Sequence, residues 1–263
     1  LADYLQRIGL DSAPAADLDG LRQLHHAQFF SIPFENLDIQ LGRDIRLDPE
    51  SLIEKLIYRN RGGYCFELNG LLLMALKALG FNSRPLLARV HLNEPPSGRT
   101  HQLNAVLLES DTWLVDAGFG AGSPRFPMLL EDGWSLEQNE FGFRISRDKS
   151  YGWMMQSRES SWKDSYSFEE NPVFNPDIEV ANFFNSHSPR SHFTTMRTVS
   201  KPTTTGRISL QNQQLTTSEA GSKQVLEVEE ADTLDVLSRE FGIEIDASFS
   251  DFKPVGDQAA LTQ

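Results

Sequence analysis

A single cysteine, Cys65, stands in a chain of 263 residues. No intramolecular disulfide is therefore possible, and the fold must rest on a packed core, which a chain of this length can bury. No apolar run reaches the roughly 18 residues of a spanning helix, so no membrane segment is expected. Positive charge is scarce: 24 Lys and Arg face 37 Asp and Glu, a net charge of −13. Such a surface repels phosphate backbones and argues against a nucleic-acid partner. It favours solubility, and it obliges any polyanionic substrate to find a local positive or backbone-amide site. The opening Leu1-Ala2-Asp3-Tyr4-Leu5 lacks the basic stretch and apolar run of a signal peptide, although the missing Met leaves the true N-terminus open. With so little cysteine, the expected location is a reducing cytoplasm. Internal repeats and low-complexity segments are absent.

The first eighty or so residues read as mostly helical. Leu18, Leu21 and Leu24 recur at helical spacing, as do Leu52, Leu56 and Ile57. Asp48-Pro49-Glu50 has the form of a helix start, with Asp as N-cap and Pro at the first position. Cys65 to Leu79 predicts a further helix ended at Gly80, and Gly62-Gly63 predicts a tight turn into it. Beyond Gly80 come short strand-like runs at Arg84–His91, Leu103–Leu108, Thr112–Asp116, Phe141–Ile145, Trp153–Gln156 and Tyr166–Phe168. These predict an antiparallel sheet or small barrel. A mixed region follows: a helix over Asp177–Phe184, strands near Phe193–Ser200, Arg207–Gln211 and Val225–Val228, and a last helix over Asp232–Phe241. Lys253 to Gln263 reads as weakly ordered.

Cys65 at a helix start sits where backbone amides favour an anion, and a neighbouring imidazole would take its proton. A buried structural thiol is the other reading, and spacing alone leaves both open. Of the six histidines, His25 and His26 fall in a helical stretch, His91 ends a strand, and His187 and His192 flank a Ser/Pro turn. His101 opens a run that places it on one strand face with Leu103, Ala105 and Leu107. Asp116 closes the apolar strand Trp113-Leu114-Val115, where a carboxylate needs a partner. The polar turn Glu109-Ser110-Asp111 predicts a hairpin whose far ends bring His101 and Asp116 together.

The run Arg61-Gly62-Gly63-Tyr64-Cys65-Phe66-Glu67-Leu68-Asn69 closely resembles the active-site signature of the arylamine N-acetyltransferases. Phe30-Ser31-Ile32-Pro33-Phe34-Glu35-Asn36-Leu37, Thr100-His101, Val115-Asp116-Ala117-Gly118-Phe119-Gly120 and Ser191-His192-Phe193 resemble further motifs of that family, in its order. The resemblance implies an α+β fold of three regions around a cysteine-protease-like Cys-His-Asp core. These are a helical bundle with the nucleophile (1–82), an antiparallel β-barrel with His and Asp (83–185), and an α/β lid (186–263). It implies a ping-pong acetyl transfer from acetyl-CoA, through Cys65, to an arylamine, arylhydrazine or arylhydroxylamine. His101 would pair with the thiolate, Asp116 would orient His101, and no metal is called for.

By the same resemblance Phe34, Phe119 and Phe193 would line the acceptor pocket. Gly118, Gly120, Ala121, Gly122 and Ser123 would approach the coenzyme pyrophosphate, with Arg125 adding charge. Arg61 and Glu35 would form a buried supporting pair. The Cys65 amide would serve an oxyanion, with the second donor unnamed. Asn104 departs from the aliphatic residue common there and is expected at solvent or the pocket rim. The lack of a long insertion points to a microbial type. A hydrolase or an amide synthase using the same triad is the alternative, and the oligomeric state is left open.

Overall fold

A computed structural model describes residues 1–138, 141–219 and 221–255. The N-terminal part is helical: α1 (Ala2–Arg7), α2 (Leu18–Ser31), α3 (Leu37–Gln40), α4 (Pro49–Ile53) and α5 (Cys65–Ala78). Asp17 caps α2 by accepting from the Gly20 amide at 2.8 Å, and Asp48 caps α4 by accepting from Ser51 N at 3.0 Å with Pro49 in the first turn. The α4 helix continues as a π turn, Glu54–Tyr58. Gly80, at φ +88°, supplies the left-handed residue after α5. Leu21, Leu24, Phe29, Leu56, Leu68 and Leu72 pack these helices together and against Val106 and Val115 of the neighbouring sheet and Ala117 in the loop that follows.

That sheet holds β2 (Asn82–Val90), β3 (Arg99–Leu108), β4 (Asp111–Val115), β5 (Met128–Leu129), β6 (Ser135–Gln138), β7 (Phe141–Asp148), β8 (Gly152–Arg158) and β9 (Trp162–Phe168). Its order is β5-β4-β3-β2-β9-β8-β7-β6, all antiparallel, forming a near-closed barrel. Leu86, Leu103, Ala105, Leu114, Ile145, Met155 and Tyr166 fill it. Strand β3 is buried on both faces: Leu103 and Ala105 enter the barrel, while Val106 packs on the helices. The alternation expected for a half-wet strand is therefore missing.

A second sheet, β1-β10-β11-β12-β13, joins distant parts of the chain. It pairs β1 (Phe34–Glu35) with β10 (Thr198–Pro202), followed by β11 (Gly206–Gln211), β12 (Gln214–Glu219) and β13 (Ser222–Glu227). Helix α6 (Asn175–His187) crosses the 185/186 division drawn from sequence. The expected strand near Phe193–Ser200 begins only at Thr198, because Ser191 caps a helical turn, α7 (His192–Thr195). Helix α8 (Thr233–Val236) runs into a π turn, Leu237–Phe241, closed by Gly242 at φ +70°. Lys253, expected in a loose tail, is tied to the Gln40 and Ile39 carbonyls; residues 256–263 lie outside those described. Among the described residues no helix is long and apolar enough to cross a membrane.

Candidate active site

Cys65 is the first residue of α5 and is buried. The glycines before it serve close packing and not a tight turn. Neither has a positive φ, and a Cβ on Gly62 would fall 2.2 Å from the Pro33 carbonyl oxygen. Gly63 bridges Phe34, and its carbonyl accepts from the Glu35 amide at 2.9 Å. The helix start is thereby fastened to β1. Glu67 reaches back to accept from the Tyr64 amide at 3.0 Å, the return half of a capping box.

His101 comes from β3 and Asp116 from the residue after β4. Asn104 pairs with Val115, so the same register sets Leu103 opposite Asp116, with His101 on the same face. His101 Nε2 lies 2.8 Å from Asp116 Oδ2, leaving Nδ1 for the Cys65 thiol with which the ring interacts. The Cys65 Sγ also lies 3.9 Å from the Thr100 carbonyl oxygen. Burial works against a charged imidazole, but the Asp116 carboxylate and the Cys65 sulfur outweigh it and push His101 up to about 10. Asp116 is likewise opposed by burial, yet His101, Asn69 and the Gly118 amide hold its carboxyl below the ordinary value.

Asn69 is a site residue that sequence reasoning passed over. It lies one helical turn after Cys65, on the same face, and that spacing was the available signal. Its Nδ2 donates to Asp116 Oδ1 at 2.9 Å and to the Gln102 carbonyl at 2.6 Å; its Oδ1 accepts from Ala117 N at 3.1 Å. Asn104 faces neither solvent nor the rim. It is fully buried and donates to the Asn69 carbonyl at 2.9 Å, because α5 covers that face of β3. Tyr166, also unforeseen, packs its ring 5.1 Å from those of both His101 and Phe119.

Cys65 and His101 open onto a cleft of about 480 Å³ that Phe34, Phe119 and Phe193 also line. The Phe34 and Phe193 rings lie 6.1 Å apart, and Phe119 meets His101 edge-on at 5.0 Å. Gly118, Gly120, Ala121 and Gly122 reach the cleft, but Ser123 does not. Ser123 is buried and its hydroxyl accepts from the Phe119 amide at 2.8 Å, which shapes the loop. Gly118 is required by contact with α5, since a Cβ there would meet Asn69 Nδ2 at 2.6 Å and Cys65 Cα at 2.9 Å. Gly120, at φ +75°, makes the left-handed bend.

Arg125 is held elsewhere than expected. Its guanidinium donates to the carbonyls of Thr203, Thr204 and Gly206 at 2.9–3.1 Å. The cleft's own arginines are Arg190 and Arg207, the latter paired with Glu159 at 2.5 Å. Arg61 and Glu35 do meet, through Nη2 and Nε to Oε1 at 2.7 and 3.0 Å. Among the described residues no group of three or more His, Cys, Asp or Glu side chains is placed to hold a metal.

Residues 17–250 match a protein family described as N-acetyltransferase. A protein of Salmonella typhimurium named arylamine N-acetyltransferase / N-hydroxyarylamine O-acetyltransferase is 40% identical over 193 residues, 72% of this chain and 68% of that protein. The arylamine N-acetyltransferase of Mycolicibacterium smegmatis is 35% identical over 253 residues, covering 93% and 92%. The solved structure of the Mycobacterium marinum arylamine N-acetyltransferase in complex with CoA superposes with a TM-score of 0.87 at 32% identity, covering 99% of this chain and 96% of that one.

Proposed function

The chain belongs to the arylamine N-acetyltransferase family, and from that premise we propose that the sulfur of Cys65 carries the acetyl group from acetyl-CoA to an aromatic amine. The protein is an acetyltransferase that uses acetyl-CoA and arylamine substrates. In the proposed first half-reaction the Cys65 thiol gives its proton to His101, and the thiolate attacks the thioester carbonyl. The C–S bond to the coenzyme breaks, the coenzyme sulfur takes the proton from His101, and acetyl-Cys65 remains. In the second half, the amine nitrogen attacks acetyl-Cys65, His101 takes the amine proton, and the Cys65 sulfur leaves and is reprotonated. Asp116 stabilises the imidazolium at both stages. The Cys65 amide, in the first turn of α5 without an intrahelical acceptor, is available to the developing oxyanion.

One observation carries this reading: a buried Asp116–His101–Cys65 line, joined by a 2.8 Å contact at its base, ends on an aromatic cleft. The apolar walls suit a flat ring, and Gly118, Gly120 and Gly122, which carry no side chains, let coenzyme phosphates come close to the loop, although the Gly118, Phe119 and Ala121 amides are already taken by Asp116, Ser123 and Ser200. We also assign the division of labour among the three regions: bundle for the nucleophile, barrel for the base, and last region for the pocket wall at Phe193. An unpaired catalytic thiol needs reducing surroundings, which supports a cytoplasmic location. Incubation with acetyl-CoA alone should leave one acetyl group on Cys65 by mass spectrometry, stable until an aniline or hydrazine is added. Active protein whose Cys65 stays unmodified would sink the covalent route, and acetate release without an amine would point to a hydrolase.

A further inference from the structure

Below the helix that carries Cys65 lies a chain of charges that the triad does not use. Glu67, on α5, contacts Lys55 Nζ through Oε1 at 2.7 Å. The same Nζ contacts Asp38 Oδ2 at 2.7 Å. Asp38 Oδ1 receives Arg61 Nη2 at 3.3 Å, and Arg61 holds Glu35 at 2.7 Å. Glu35 in turn accepts from the Leu37 amide at 2.7 Å. Three carboxylates thus face two cations, with Arg43, 3.5 Å from Asp38, more exposed at the edge. Among the described residues, Lys55 is the one cation paired with Glu67. Its side chain is 15% exposed although its neighbours Glu54, Tyr58 and Arg59 face water. It lies inside the π turn 54–58, an irregularity that often marks a functional position.

We propose that Lys55 is a positioning residue for the nucleophile: three residues after buried Leu52 and so on the inner helix face, its ammonium group neutralises and holds Glu67, whose other oxygen fixes the chain before Cys65. This rests on the reading of Cys65 as the nucleophile. Glu67 Oε2 takes the Tyr64 amide and Oε1 takes Lys55, so one carboxylate couples the helix start to the charges beneath it. Burial raises the Glu67 carboxyl and Lys55 works against that rise, so without the cation Glu67 would either oppose a thiolate at Cys65 or take up a proton and loosen its hold on the Tyr64 amide. Burial works against the charge on Lys55, but Glu67, Glu35 and Asp38 together hold its ammonium above the ordinary range. The charged and titratable groups around Cys65 are Tyr64 and Glu67 beside it, His101, Asp116 and Tyr166 from the barrel, His25 from α2, and His192, Arg190 and Arg207 across the cleft. Glu35, Asp38 and Arg61 complete the set from below.

The test reads the alkylation rate of Cys65 by iodoacetamide against pH in the full-length protein. Cys65 is the only cysteine, so the signal belongs to one site and does not depend on acetyl transfer. Lys55→Met should move the profile upward by about half a pH unit or more. Lys55→Met with Glu67→Gln should return it towards that of the unmodified protein, because the amide still accepts from Tyr64 N. If Lys55→Met does not fold, a folded double variant with a restored profile supports the role equally. An unmoved profile in folded Lys55→Met overturns it. A double variant that is unfolded, or whose profile stays displaced, does the same. Failure of the covalent reading would show separately, as unmodified Cys65 in active protein given acetyl-CoA.

Discussion

On the helical side of the cleft, the strands and helices around Cys65 are joined by five salt-bridged side chains, Glu35, Asp38, Lys55, Arg61 and Glu67. On the barrel side, Asp116 is held by neutral donors apart from His101: the Asn69 amide and the Gly118 backbone. The two sides ask different things of a charge. Beneath Cys65 the charges pair with one another and act as fasteners, so their partners are fixed salt bridges. At His101 the Asp116 charge must remain available to an imidazolium that forms and disappears, and a second permanent cation would take it away. Removing one member should therefore do different damage on each side: chemistry on the barrel side, and nucleophile placement on the helical side.

The largest expected effect is on the barrel side. Asp116→Asn keeps the volume but loses the charge, and it turns an amide group towards donors that need an acceptor. Acetyl transfer, followed as kcat/KM, should fall by about a thousandfold or more, as expected when the orienting carboxylate of a triad is neutralised. His101, now pushed up to about 10 by that carboxylate among other groups, would lose its charge at lower pH, so the alkaline limb of the rate profile should move down. Near-normal activity in this variant would break the contrast between the two sides.

Asn69→Ala should come next. The substitution leaves the Gln102 carbonyl and Ala117 amide without a side-chain partner and strips one donor from Asp116. Each unsatisfied buried group costs about 1–3 kcal/mol, so a lowered melting temperature is expected together with about a tenfold loss in kcat/KM. If stability falls and the transfer rate per folded molecule does not, Asn69 fastens the fold without tuning Asp116.

Much of the barrel side could be read from the chain. The apolar run ending in Asp116 and the short turn at 109–111 set the register that brings His101 to it, and the helix over Cys65 followed from the Leu-rich run, although Gly62-Gly63 serve packing and not the expected turn. What escaped depended on contacts remote in sequence. Asn104 reads as an exposed strand residue until α5 is laid over β3. Arg125, expected to add charge for the coenzyme pyrophosphate, is held by the carbonyls of the 203–206 turn. Lys55 received no role from the sequence, because its partners Asp38 and Glu67 come from other elements.

The smallest effect at working pH, and the sharpest check on the contrast, concerns His25. This residue of α2 is buried with no hydrogen-bond partner for either ring nitrogen among the described residues, and Asp116 is the carboxylate that its charged form would feel. A permanent cation there would compete with His101 for the carboxylate. Burial instead lowers His25 to about 4, against an ordinary 6.5, so it is neutral near neutral pH, where His101 is charged. Between these values the unfolded chain binds a proton that the folded chain refuses. Stability therefore falls as pH drops from about 6.5 to about 4, by as much as about 3 kcal/mol, and the slope from this group ends below that window. His25→Gln carries no such proton, so its urea-unfolding free energy should fall less steeply across the window while matching the parent slope near neutrality. Equal slopes in the two proteins, or an NMR titration showing His25 charged at neutral pH, would mean that the barrel side tolerates a second cation and that the contrast drawn from Asp116 is wrong.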